Sequence, residues 1–205
     1  MKTVFVVLLI LFYAALAFFR NSVWTDAMTL WQDTAYKSPA KLRPHQNLGN
    51  AYMRNGFLDE AERELQAAIA RCRVPDYNPP AHNSLGLIYM ERGLLDKAEQ
   101  KFLLAIKQKK EYATQYNSLG LLYKKKGLTD KAIENFKAAL SYRPEYVSAY
   151  NNLGNIYLDQ GLFDMAEQVF KKALLYSPEN LEANNNLGLA YMRNGLLDKA
   201  EERFK

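Results

Sequence analysis

The chain has 205 residues, 49% hydrophobic and 24% charged, which is enough apolar material to bury a substantial core. A formal charge of +5 makes it only mildly basic, and its single cysteine, Cys72, excludes an intrachain disulfide or a multi-cysteine zinc site. Glycine-rich phosphate loops, metal-spaced His/Cys clusters and nucleophile elbows are all missing from the sequence. The expectation is a protein that is not an enzyme, with no catalytic residue, cofactor or metal.

The N-terminus differs from everything after it. From Thr3 to Phe19 no residue is charged, and Lys2 and Arg20 bracket the run. As a helix this run spans about 25 Å, the short end of what crosses a bilayer. Residues 1–21 are therefore expected to form a single transmembrane anchor, in contact with membrane through residues 3–19. The rival reading is a cleaved signal peptide, because Ala15-Leu16-Ala17 has the small-x-small form of a cleavage site. A two-residue tail most simply stays cytoplasmic, which places the rest of the chain on the extracytoplasmic side.

The remainder is periodic. Leu-Gly followed three residues later by Tyr occurs at Leu48-Gly49/Tyr52, Leu85-Gly86/Tyr89, Leu119-Gly120/Tyr123, Leu153-Gly154/Tyr157 and Leu187-Gly188/Tyr191. The last four copies are 34 residues apart, and the first precedes the second by 37. Such a period marks a solenoid built from one repeated supersecondary unit. Residues 42–205 form this array of five units, the last incomplete. Extending the frame backwards puts Ala27, Trp31 and Pro39 in repeat slots, so residues 22–41 read as a half-unit whose first helix is replaced by the hydrophobic run. That pairing favours the anchor over the cleaved signal.

Each unit reads as two helices. The first ends near Gly56, Gly93, Gly127, Gly161 or Gly195, where glycine can adopt the left-handed conformation that stops a helix. Asp59, Asp96, Asp130, Asp164 and Asp198 follow, and are expected to cap the second helix. That helix carries Ala61, Ala98, Ala132, Ala166 and Ala200, then Leu65, Phe102, Phe136, Phe170 and Phe204, then Ala68, Ala105, Ala139 and Ala173. Small residues around one large residue let paired helices approach closely. Pro144 and Pro178 stop second helices, while the insertion from Arg73 to Pro80 is the one irregular joint.

Leu-Gly-x-x-Tyr, the small residue twelve positions after the glycine, the large residue four further on and the closing proline together resemble the tetratricopeptide repeat family. The resemblance implies an all-α fold, a right-handed α-solenoid of tetratricopeptide helix pairs preceded by the N-terminal hydrophobic (transmembrane) helix. Where the family has an aromatic before the Leu, this chain has His45, His82, Tyr116, Tyr150 and Asn184, so both histidines read as packing residues. The junction Trp24-Thr25-Asp26, Thr29-Leu30-Trp31-Gln32-Asp33 and Ser38-Pro39 also resembles the entry to the repeats in polytopic glycosyltransferase-like membrane proteins. The acidic loops that carry that family's chemistry are not in this chain.

The functional signal is a set of aligned amides. Asn83, Asn117, Asn151 and Asn185 share one slot of the first helix, and Asn47, Asn152 and Asn186 share the slot beside it. First helices of such arrays line the concave surface, where an amide both donates to and accepts from an extended peptide backbone. Further along the same face lie Asn50, Leu87, Leu121, Asn155 and Leu189, followed by Met53, Met90, Lys124, Leu158 and Met192. In the family, this pattern resembles the repeat domain of O-linked N-acetylglucosamine transferase rather than the lysine-lined chaperone-tail clamp. The expectation is a membrane-anchored scaffold that holds a peptide or protein partner in this groove. The opposing reading of the same amides is hydrogen bonding between neighbouring helices.

Two alternatives remain at this stage: a C-terminal fragment of a polytopic glycosyltransferase-like membrane protein, and self-assembly through the C-terminal repeat edge at Leu197 and Phe204. The lysine runs Lys107 to Lys110 and Lys124 to Lys126 lack interleaved aromatics and read as solvated faces, so no nucleic-acid partner is expected. Cys72 reads as a small residue near a helix end.

Overall fold

The computed structural model describes residues 26–204, and every regular element among them is a helix. In chain order these are α1 (Ala27–Lys37), α2 (Leu42–Arg54), α3 (Leu58–Ala70), α4 (Pro79–Glu91), α5 (Leu95–Gln108) and α6 (Ala113–Lys125). They continue as α7 (Thr129–Tyr142), α8 (Val147–Asp159), α9 (Phe163–Tyr176), α10 (Leu181–Arg193) and α11 (Leu197–Phe204). The expected anchor, residues 1–21, lies outside the described residues; among the described ones no helix is long and apolar enough to cross a membrane. Two compact units divide within α4, one ending at Ile88 and the other starting at Tyr89.

In the first unit, α1 begins with a reciprocal cap. Thr29 N donates to Asp26 Oδ1 at 2.9 Å, and Asp26 N donates back to Thr29 Oγ1 at 3.4 Å. Helix α1 is tied to α2 by Gln32 Nε2, which donates to the Tyr52 hydroxyl at 2.8 Å. Between α2 and α3 the approach is close: a Cβ on Gly49 would lie 2.7 Å from Leu65 Cγ. This is why glycine and a large apolar residue recur together in the sequence.

The expected irregular joint follows α3. Asp76 sits there at φ 59°, a left-handed conformation that aspartate tolerates better than most residues. Asn78 Oδ1 caps α4 by accepting from Ala81 N at 3.2 Å. Pro79 and Pro80 fit the first turn of α4, where a helix needs no N–H donors. His82, fully buried, donates from Nε2 to the Asp76 carbonyl at 2.8 Å and so closes the loop onto the helix. His45 is likewise a packing residue, with Nδ1 2.6 Å from Glu64 and Nε2 3.1 Å from the Pro39 carbonyl.

In the second unit the pairing repeats with phenylalanine as the large residue. A Cβ on Gly120 would lie 2.6 Å from the Phe136 ring, and one on Gly154 2.5 Å from the Phe170 ring. Ala132, Ala139, Ala166 and Ala173 flank those rings with no exposed surface. The turn after each first helix is a Schellman motif. After α8, Gly161 takes φ +74° while its N–H reaches the Leu158 carbonyl and the Leu162 N–H reaches the Tyr157 carbonyl.

That turn corrects one expectation. The N-caps of α3, α5, α7 and α9 are Phe57, Leu94, Leu128 and Leu162, none with a side-chain capping bond, and the expected caps Asp59, Asp96, Asp130 and Asp164 stand one turn position inside the helix. The Schellman closure uses the apolar residue after glycine as the cap, so each aspartate faces the helix dipole from the first turn instead.

Candidate functional site

In the first unit the aligned positions are Asn47 and Asn50 on α2, and Asn83 and Leu87 on α4, all half-buried. Ser84 Oγ donates to Asn50 Oδ1 at 2.8 Å and so ties α4 to α2. Asn83 Oδ1 is buried without a hydrogen-bond partner.

In the second unit the two amide slots separate. Asn152 Nδ2 donates to Asn117 Oδ1 at 2.9 Å, and Asn186 Nδ2 donates to Asn155 Oδ1 at 2.8 Å. Each bond joins one first helix to the first helix before it. Asn117 and Asn151 are only 7% and 2% exposed. Asn151 Nδ2 donates forward, to Asn180 Oδ1 at 3.1 Å and Glu182 Oε2 at 3.0 Å, at the start of α10. Leu121 and Leu189 are half-buried and Asn185 is exposed. Much of the amide row thus ties helix to helix. At Asn50 and Asn155 it is the carbonyl oxygen that is engaged, which leaves the Nδ2 donors of those two side chains for another acceptor.

The sequence reading missed Asn180 and Glu182. Asn180 carries a visible signal, an asparagine just before a helical run, and its Oδ1 caps α10 by accepting from Ala183 N at 2.8 Å. Its second duty towards Asn151 has no signature in spacing.

Away from these amides, the repeated tyrosines hold carboxylates. Tyr123 donates to Glu99 Oε1 at 2.9 Å, and Tyr191 to Glu167 Oε1 at 3.1 Å. Lys126, paired with Glu99 and with Asp96 at 2.8 Å, holds the Glu99 carboxyl below its usual range. Burial first, and the bond to Glu99 second, push the Tyr123 hydroxyl up to about 12. Lysines cover the same rings, with Lys131 Nζ 5.4 Å from the Tyr123 centroid and Lys199 Nζ 5.4 Å from that of Tyr191. Cys72 donates weakly to the Ala68 carbonyl at 3.5 Å, and burial raises its thiol, as for a packing residue.

Repeat-level matches agree with this geometry. Family models described as tetratricopeptide repeats match residues 47–113, 147–180 and 181–205, and one described as a TPR repeat matches 125–161. The chain belongs to the tetratricopeptide repeat family. Among solved structures it is similar to MamA, with 26% identity over 77% of this chain and 90% of that one, at a TM-score of 0.64. It shares the fold of pilF from Pseudomonas aeruginosa, with 17% identity over 80% and 73% of the chains and a TM-score of 0.73. It also shares the fold of YrrB, described as a TPR protein with an unusual peptide-binding site, with 18% identity over 84% and 88% and a TM-score of 0.58. A comparison with curated proteins gives no match. The family and fold are those of a protein-interaction scaffold.

Proposed function

We propose that the chain is a non-enzymatic scaffold that holds an extended segment of a partner protein against its first helices, and that residues 3–19 tether it to a membrane with the repeats on the extracytoplasmic side. The observation that carries the binding reading is the state of Asn155. Its oxygen accepts from Asn186, its amide hydrogens remain, and half-buried Leu121 and Leu189 occupy the same slot on the neighbouring first helices. A donor amide among apolar side chains suits a peptide carbonyl beside an uncharged side chain. Asn50 presents the same chemistry in the first unit.

Selection from a displayed random dodecapeptide library tests this reading. Asn155→Asp, which keeps the oxygen that accepts from Asn186 and removes the amide donor, is expected to weaken the selected peptides about tenfold, or ~1.4 kcal/mol, with the thermal midpoint nearly unchanged. Unchanged binding would refute the assignment. For the tether, the full-length product is expected to stay with membranes through high-salt and carbonate washes. A mature N-terminus at Phe18 would show cleavage instead.

A further inference from the structure

Four tyrosines of the second unit, Tyr89, Tyr123, Tyr157 and Tyr191, occupy the same repeat slot, and Tyr157 lacks both charged partners that Tyr123 and Tyr191 have. Tyr123 and Tyr191 each donate to a glutamate 24 residues earlier, Glu99 and Glu167. The residue 24 before Tyr157 is Ile133. Tyr89, Tyr123 and Tyr191 also lie under a lysine eight residues later, Lys97, Lys131 and Lys199. The residue eight after Tyr157 is Met165. Both charged partners are thus replaced by apolar residues around Tyr157, Ile133 from α7 and Met165 from α9.

Tyr157 is buried apart from 4% of its surface, and a groove adjoins it. This groove of about 310 Å³ lies between α7 and α9 over α8, with Leu140, Leu153, Met165 and Val169 among its walls and Tyr157 contributing to its lining. Lys137 and Lys172 line the same groove, both exposed, with no acidic partner among the described residues. Two unneutralised ammonium groups beside an apolar wall and a tyrosine without its carboxylate define a complementary ligand: an anion joined to an apolar group. The groove is separate from the amide positions. At roughly 100° per residue, Tyr150, Leu153 and Tyr157 fall on the opposite side of α8 from Asn151 and Asn155.

We propose that this groove is a second docking site, which takes from a partner protein an acidic side chain next to an apolar one, the carboxylate standing beside Tyr157 where Glu99 and Glu167 stand beside Tyr123 and Tyr191. The apolar neighbour packs on Leu140, Met165 and Val169, and the lysines steer the acid in. Binding at this site weakens with added salt, because the lysines are exposed.

The test uses the full chain and a library of capped heptapeptides in which every position is Glu, Gln, Leu or Ala. Enrichment of peptides with Glu next to Leu is expected. Lys137→Ser with Lys172→Ser is expected to lower their binding about tenfold. Ile133→Glu with Met165→Lys builds the arrangement of the neighbouring repeats inside the chain, and is expected to abolish selection for Glu while keeping or raising the thermal midpoint. Equal enrichment of Gln and Glu peptides would overturn the proposal, as would a folded Ile133→Glu/Met165→Lys variant that still selects Glu. Should that variant fail to fold, undiminished binding by the double lysine variant overturns it alone.

Discussion

Helix α8 faces two seams of opposite character. Towards α9 it presents Gly154, on which the Phe170 ring rests so closely that a Cβ would lie 2.5 Å away. Towards the neighbouring first helices it presents Asn152, which donates to Asn117 on α6, and Asn151, which donates to Asn180 and Glu182. The first seam is dry and has one solution, because shape alone fixes it. The second is polar and has several, since serine does at position 84 what asparagine does at 152 and 186. Pairing within a repeat is therefore held by volume, while stacking between repeats combines the apolar packing of Ala113, Ala139 and Ala149 with hydrogen bonds that can be exchanged one for another.

Breaking the dry seam is expected to cost most. Phe170→Ala removes a ring with no exposed surface and should lower stability by roughly 3–5 kcal/mol in denaturant unfolding. Gly154→Ala overfills the same contact and should cost about 1–3 kcal/mol. The pair sharpens the comparison through a double-mutant cycle. If the seam is a matter of volume, Gly154→Ala adds little once Phe170 is alanine, and additive losses would contradict that account.

The polar seam should break more gently. Asn152→Ala strands the Asn117 oxygen, 7% exposed as a residue, and should cost about 1–3 kcal/mol. Asn185→Ala, at an exposed position, should stay within about 0.5 kcal/mol. Equal losses at the two positions would show that the amide bonds carry no stacking energy.

The smallest effect expected is at Glu99. Its carboxyl is held low, chiefly by Lys126, so the stabilisation is present above the usual glutamate range and is lost as pH falls through and below about 4. Glu99→Gln should flatten that part of the acid fall in the thermal midpoint, and an unchanged acid profile would show that the Lys126 pair contributes nothing.

The dry seam was legible in the sequence because glycine, alanine and phenylalanine at fixed offsets state a volume directly. The turn glycines were legible for the same reason, and Gly56, Gly93, Gly127, Gly161 and Gly195 all take positive φ. The aspartate caps were misplaced, because the Schellman turn puts the leucine or phenylalanine after glycine at the cap. The direction of the amide bonds could not be read from spacing. Whether Asn151 meets α6 or α10 depends on the rotation of one helix against the next, which no periodicity records. The departure at Tyr157, by contrast, is written in the sequence as Ile133 and Met165. It becomes legible only after Tyr123 and Tyr191 show which charged partners the slot can hold.

The Gly161 turn has a consequence for synthesis. It closes a hairpin whose principal contact, Gly154 with Phe170, spans only 16 residues. Contacts that short form on the scale of microseconds, whereas a ribosome needs roughly 2–7 s to deliver one repeat length. Each helix pair of this kind can thus close before the next is made, and the growing chain exposes about one unpaired repeat at a time.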